Sequence, residues 1–574
     1  MGLRSQCAVP ANNMILYRIL LILNICILAA LSCMSLFSRG AVNFETFSEH
    51  ITFVPQSIPV LTAGMLASVL FSCAVFRFLS KKDTRSLRRI SNAAAFLCAA
   101  AAFCGALVWA RINPYSPAAD QFTLWDAASL ITAGEDISLY SAYIQSYPYQ
   151  KGMILFLVFL QRIFGQRALF LFHMLNAASY ALLIPLCGGF ARRLSGSHAA
   201  AIIADVLAML FAPPLFYAPF IYGTLPSLAL NFLGFHAVLE SLGAAGAPDS
   251  SEGDNSAPSG GMSPLVRSLI WAAAAALSFS LSYLLYTASL IAITASAMTF
   301  AAAAVFLLSA RRKGEPSSGK RAGAFAVALA AVVLLPALVQ VLTRSAFFSQ
   351  TGIADSDGIP ASAYLYMGIS SDDGAAGPGS HNGRDIGLFS ENDMNTARTD
   401  NAARALITET LSEYAAGKRS LAFFTEKTRW QWTDPWFSSL VLTIHPRSIS
   451  VSWNRPFTFV VQGGLLSAIE CFLAFLLPLV YIAALIGALS LSRKPFSSRE
   501  DDAGQKNRGS FAPSVLLMLY FCGGFVFQLL WEAKARYCLP YFTALLPFAA
   551  CGILRSGIWL NAVLFRTESL DRRN

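Results

Sequence analysis

The sequence predicts an all-α polytopic membrane protein with about twelve transmembrane helices. Three observations carry this. Hydrophobic residues fill 55% of the 574 positions. Charged residues fill only 13%, against roughly 25% in a soluble chain. Mean hydropathy is +0.54, and several apolar runs exceed the roughly 18 residues that cross a bilayer.

The first run, 14–36, is too long for a signal peptide and lacks a small-residue cleavage site, so it is expected to stay as an anchor. Further spans are expected at 57–80, 90–110, 168–190, 199–213, 221–243, 266–284, 287–309, 322–345, 457–489, 512–531 and 537–558. The run 266–309 is too long for one helix and is divided near Ser282–Thr287. Residues 153–164 are apolar but short. A half-inserted or surface-lying helix over 153–167 keeps the loop charges consistent, with a kinked crossing as the alternative.

Those charges set the expected orientation. Basic clusters lie at 81–89 (KKDTRSLRR), Arg192–Arg193, Arg311–Lys313 with Lys320–Arg321, Arg493–Lys494, and Arg566, Arg572 and Arg573. Placed in the cytoplasm by the positive-inside rule, they put both termini inside and 37–56, 111–167, 346–456 and 532–536 outside. The net charge of +10 thus reflects membrane topology, and no nucleic-acid partner is expected. The 11 cysteines mostly lie in or beside apolar runs without a CxxC pair. They read as small core residues, not as disulfide or metal ligands.

The expected organisation is a two-helix anchor (1–89), a membrane core (90–345), an outer domain (346–456) and C-terminal helices (457–574). Stretches 244–263 and 495–511 are small, polar linkers. The outer domain opens with Gly, Asp and Ser turns at 352–386. A helix is expected over 395–416, where Ala402, Ala403, Leu406, Ile407, Leu411 and Tyr414 recur at helical spacing, and another over 420–430.

Candidate chemistry concentrates in the outer loop 111–152. Asp120 follows soon after a crossing, where a carboxylate can deprotonate an acceptor; it equally suits a helix N-cap. Asp126, Glu135 and Asp136 are secondary acids that also read as solvated or capping residues. Tyr140, Tyr143, Tyr147 and Tyr149 suit either an interfacial aromatic belt or a sugar-stacking surface. Between the last two spans, WEAKARY (Trp531–Tyr537) places Lys534 and Arg536 outside, against the charge rule. They either snorkel to headgroups or bind a phosphate, Arg as a bidentate fork and Lys as a point charge. Tyr222-Gly223, after Pro213-Pro214, suits a broken helix lining a cavity. Asp205, Glu240 and Glu470 are acids within or at the ends of spans. HExxH, Walker A and GxSxG motifs are absent from the sequence, which removes metalloprotease, ATPase and serine-hydrolase readings.

Four motifs in this order resemble the GT-C superfamily of membrane glycosyltransferases. The resemblance is to family-39-type enzymes related to protein O-mannosyltransferases and the lipid A aminoarabinose transferase, and within these to a bacterial branch. The motifs are Asp120-Gln121; a YPxQxG close (Tyr147, Pro148, Gln150, Gly152) before an apolar helix ending in Phe164-Gly165; Tyr222-Gly223; and the run from Trp531 to Tyr541. The resemblance implies a GT-C-like fold and an inverting transfer from a polyprenyl-phosphate sugar to an extracytoplasmic glycan, lipid or protein acceptor. It implies Asp120 as general base and Lys534 and Arg536 on the donor phosphate. Gln121, Tyr147, Tyr149, Gln150, Lys151, Tyr222 and Glu532 become substrate contacts. The lipid-linked sugar is a substrate; neither a cofactor nor a metal is implied. Gln121 replaces the mannosyltransferases' glutamate and Gln150-Lys151-Gly152 replaces the aminoarabinose transferases' Lys-Pro-Pro, so sugar and acceptor do not carry over. The rival readings are a glycan flippase, or a polymerase or ligase.

Overall fold

The computed structural model describes residues 11–44, 49–114, 117–245, 262–312, 318–370, 377–444, 455–493 and 511–564. Most of both linkers, Cys7 and the basic tail at Arg566, Arg572 and Arg573 lie outside these residues. The described chain is helical, in a membrane bundle interrupted by two segments of shorter helices. It runs α1 (Ala11–Phe37), α2 (Ile58–Ser80), α3 (Thr84–Ile112), then α4 (Asp120–Ala133), α5 (Ser141–Ser146) and α6 (Lys151–Phe164). The core continues with α7 (Ala168–Ser195), α8 (His198–Leu210), α9 (Pro213–Phe216), α10 (Thr224–Ala245), α11 (Pro264–Leu285), α12 (Leu290–Arg312) and α13 (Ser318–Thr351). The segment expected to form the outer domain holds α14 (Ala361–Ser370), α15 (Arg384–Glu391), α16 (Thr396–Ala415), α17 (Ala422–Trp432) and α18 (Ser439–Thr443). The chain closes with α19 (Arg455–Gln462), α20 (Leu465–Arg493), α21 (Phe511–Leu530), α22 (Leu539–Thr543) and α23 (Leu546–Leu564).

Among the described residues, eleven spans are long and apolar enough to cross a membrane. The expected span 199–213 is the exception. Its helix, α8, has 13 residues, about 20 Å of rise, and ends before Pro213-Pro214. The expected span 457–489 is broken at Gly463-Gly464, between α19 and α20. Segment 153–164 forms α6, 14 residues long; Gly165–Arg167 then makes a 3-10 turn before α7.

α7 sits against α3, α8, α10 and α23. The break between α11 and α12 leaves polar groups that must be satisfied inside the bundle. Ser282 donates to Asn231 at 2.8 Å, and Asn231 donates to Ser289 at 3.3 Å.

The expected outer loop 37–56 contains an antiparallel hairpin, β1 (Ser38–Ala41) with β2 (Thr52–Pro55). Arg39 pairs with Glu470 at 2.7 Å, and Trp436 donates its indole N–H to the other Glu470 oxygen at 3.1 Å. The Gly40 amide donates to the Thr433 carbonyl at 3.0 Å. Glu470 is therefore a tie between the hairpin and the outer domain. Glu240 likewise pairs with Arg193 at 2.5 Å. Asp205 is buried against Gly188, where a Cβ would lie 2.2 Å from its Oδ1.

Candidate functional site

The site forms where three chain segments meet: the start of α4, the turn Tyr217–Gly223, and the loop Trp531–Tyr537. Membrane helices hold the turn. Asn176 on α7 donates to the Ala218 and Phe220 carbonyls at 3.0 and 2.9 Å, and Trp109 on α3 donates to Phe216 at 3.3 Å. These side chains replace the helix ladder that the unwound segment lacks. The turn also lies against the end of α11. A Cβ on Gly223 would sit 2.1 Å from the Leu285 carbonyl oxygen, and one on Gly152 would sit 2.3 Å from that of Leu284. Both motif glycines are thus needed for close backbone approach.

Gln121 ties the turn to α4 and to the outer domain. Its Oε1 accepts from the Ile221 amide at 2.9 Å, and its Nε2 donates to the Leu442 carbonyl at 3.3 Å. With both ends of its amide occupied by backbone, Gln121 is placed as a clamp. Gln150 donates to the Tyr222 hydroxyl and fixes that ring from the other side.

Asp120 is exposed and is the first residue of α4. The expected N-cap role does not apply. The cap position is Ala119, at φ 49° and ψ −131°, and no side chain caps the helix. A non-glycine residue at positive φ is uncommon, so this strained residue sets where Asp120 emerges. Tyr143 lies near enough to the Asp120 carboxylate to feel its charge. Burial, with a contribution from Asp120, pushes the Tyr143 phenol up.

Arg536 packs against the turn. It is 6% exposed, and its guanidinium lies 5.1 Å from the Tyr222 ring centre, 4.9 Å from Tyr537 and 6.0 Å from Phe220. One N–H donates to the Tyr537 hydroxyl at 3.2 Å, while Nε is buried without a partner. No carboxylate among the described residues pairs directly with it. The nearest acidic link is indirect, Tyr537 donating to Glu532 at 3.3 Å. Burial raises the Glu532 carboxyl, with Lys534 and Arg536 opposing. Lys534 itself reaches Glu49 at 3.4 Å. Tyr222 is influenced by both charges: burial pushes its phenol up to about 12, Arg536 opposing and Asp120 adding.

Tyr147 extends the site toward the outer domain. Burial raises its phenol, followed by Asp385, Asp120 and Glu532. It packs against the small core of α14, α15 and α16, beside the stacked Tyr364 and Trp531 rings, 5.1 Å apart. The Tyr149 ring meets Tyr147 edge-on at 5.9 Å.

The other expected residues fall elsewhere. Lys151 is buried and pairs with Asp355, which also meets Arg344 at 3.4 Å. Asp126 accepts from Tyr140 at 2.6 Å. Asp136 caps a turn, accepting from the Ser138 amide at 2.9 Å, and Glu135 is exposed just past the glycine that ends α4.

Sequence reasoning missed three residues beside the site. Asp385 is 1% exposed, with His381 at 3.4 Å. Lys427 is fully buried and donates to the Gly368 and Trp531 carbonyls at 2.5 and 2.6 Å, which pins the loop carrying Arg536. The signal for the first two was a His four positions before an Asp inside the turn-rich stretch; nothing local distinguished Lys427.

No family model and no curated protein matches the chain. Two solved structures do, both of an archaeal oligosaccharyltransferase from Archaeoglobus fulgidus. One is AglB in complex with an inhibitory peptide and a dolichol-phosphate, at 13% identity and a TM-score of 0.37, covering 83% of this chain and 51% of that one. The other is the apo form, at 13% identity and a TM-score of 0.36, covering 84% and 51%. The chain thus spans about half the length of the proteins it matches.

Proposed function

We propose that the protein is a GT-C-type membrane glycosyltransferase. It moves a sugar from a polyprenyl-phosphate donor to an acceptor on the extracytoplasmic face, with inversion at the anomeric carbon. The observation that carries this reading is Arg536, a buried guanidinium with no directly paired carboxylate among the described residues. Leaving such a charge unpaired costs several kcal/mol. An anionic ligand would offset that cost, and a phosphate matches the guanidinium fork.

In this reading Arg536, with Lys534 beside it, holds the donor phosphate and stabilises the charge that grows on it as the glycosidic bond breaks. Asp120 stands across Tyr222, exposed toward the acceptor, and takes the hydroxyl or amine proton. Tyr143 orients Asp120, and Tyr147 and Tyr149 supply aromatic surface for a sugar ring. Gln121 and Gln150 serve by holding the turn and the Tyr222 ring. The sugar arrives already activated on its lipid, so the chemistry requires no nucleotide site.

Mass spectrometry of surface glycans tests the reading. Cells lacking the protein should lose a defined sugar that wild-type protein restores and Arg536→Ala does not. Unchanged glycans in its absence would overturn it.

A further inference from the structure

Resting on the donor-phosphate reading, we infer that His381 is a further cationic contact for the anionic head of the donor, held in place by Asp385. Three observations converge on it. First, the outer domain and the phosphate loop share a parallel bridge between Ser380 and Ala533, and the Ala533 amide donates to the Gly379 carbonyl at 2.8 Å. His381 and Lys534 each follow this bridged pair by one residue.

Second, the imidazole is accessible while its acid is not. The His381 side chain is 42% exposed and that of Asp385 is 0% exposed, with Nε2 3.4 Å from Oδ1. Both Asp385 oxygens are buried without a hydrogen-bond partner. A buried carboxylate of this kind demands a cation or donor, and His381 supplies the only ion pair it makes among the described residues.

Third, the surrounding charges are mixed in a way that keeps the imidazole responsive. Asp385 raises its pKa above the ordinary value; burial opposes, Glu532 adds and Lys534 subtracts. The folded value lies above the ordinary one, so the cationic form persists further toward neutral pH and is lost as the pH rises past it. Asp385 acts only through His381 and is a positioning residue.

The test is binding of a sugar-free polyprenyl methyl phosphodiester, whose single charge does not titrate, to the purified full-length protein from about pH 6 to about pH 9. Wild-type affinity should fall on the order of tenfold across that range, the size of one charge-assisted contact. His381→Asn should bind weakly throughout, and His381→Lys tightly throughout. Asp385→Asn should move the midpoint to lower pH. A wild-type pH dependence surviving in either His381 variant would overturn the inference, and the lysine variant decides should the asparagine variant not fold. Loss of binding in Arg536→Ala alongside that survival would sink His381 alone. Wild-type binding by Arg536→Ala would sink the phosphate site and this inference together.

Discussion

The Arg536 guanidinium lies 5.1 Å from the centre of the Tyr222 ring, joining two motifs that are 314 positions apart in the chain. The pairing gives the guanidinium a cation–π surface but no compensating negative charge. It separates stability from function. Arg536→Met should raise the thermal stability of the ligand-free protein, because an unpaired buried charge is replaced by an apolar side chain. The same change should raise the apparent KM for donor by about 10- to 100-fold, the loss of a charge-assisted contact of about 1.5–3 kcal/mol. Arg536→Lys should recover only part of it, since the ammonium lacks the bidentate fork. A variant that melts earlier and keeps its donor kinetics would make Arg536 a structural residue.

Orientation is the next prediction. On a background lacking native cysteines, Ser412→Cys, exposed on α16, should react with a membrane-impermeant thiol reagent in intact cells. Lys82→Cys, exposed between α2 and α3, should react only after permeabilisation. The opposite pattern would place Asp120 and Arg536 in the cytoplasm and remove the lipid-linked donor reading.

Local signals were legible in the sequence, and distant partnerships were not. Helical spacing located α16, expected at 395–416 and found at Thr396–Ala415. The long apolar run divides at Tyr286, where the expected break lay. Hydropathy is additive along a helix, so such features survive without knowing the fold. Glu470 read as an intramembrane acid because its partner, Arg39, lies 431 positions away. Asp385 sat in a stretch that composition marked only as turns, yet the folded chain leaves it 1% exposed. Asp120 read as a cap because Asp often is one; the backbone of Ala119 takes that position instead.

Gly223→Ala tests whether the turn must lie against α11. The added Cβ would meet the Leu285 carbonyl oxygen at 2.1 Å, and a backbone atom cannot swing aside. The expected cost is about 1–3 kcal/mol, read as a lower melting temperature. Because Tyr222 is the neighbouring residue, donor KM should rise as well. Unchanged melting and kinetics would show that the turn is free to move.

Lys427 makes the outer domain's grip on the Trp531 carbonyl pH-dependent. Burial pushes its ammonium down to about 7, with Glu532 opposing. Its folded value is below its unfolded value, so between about pH 7 and about pH 10 the unfolded chain holds the extra proton. Stability should therefore rise with pH through that window, by at most about 1.4 kcal/mol per unit from this group. The penalty is fully present below it. Denaturant unfolding of wild type and Lys427→Met from about pH 7 to about pH 9 should show the slope in wild type only. Equal slopes would assign the dependence to other groups.

Asp120 can be tested more cleanly than its position at a helix start suggests. Its carboxylate is exposed and caps nothing, so neither Asn nor Ala should disturb folding beyond the few tenths of a kcal/mol that a first-turn charge contributes. Both variants should express and melt like wild type. Neither can take a proton from an acceptor, and sugar transfer should fall by about 10²- to 10⁴-fold in each, with donor KM little changed because the proposed phosphate contacts are other residues. Tyr143→Phe should lower transfer by less, since it removes an orienting contact and leaves the base. The discriminating case is Asn, which keeps the shape and the Tyr143 contact but loses the basicity. Near-normal transfer by Asp120→Asn would remove Asp120 as the base. Asp126 and Asp136 are poor substitutes, each already accepting a hydrogen bond from a neighbour, so the search would pass to Glu135, exposed just past the end of α4.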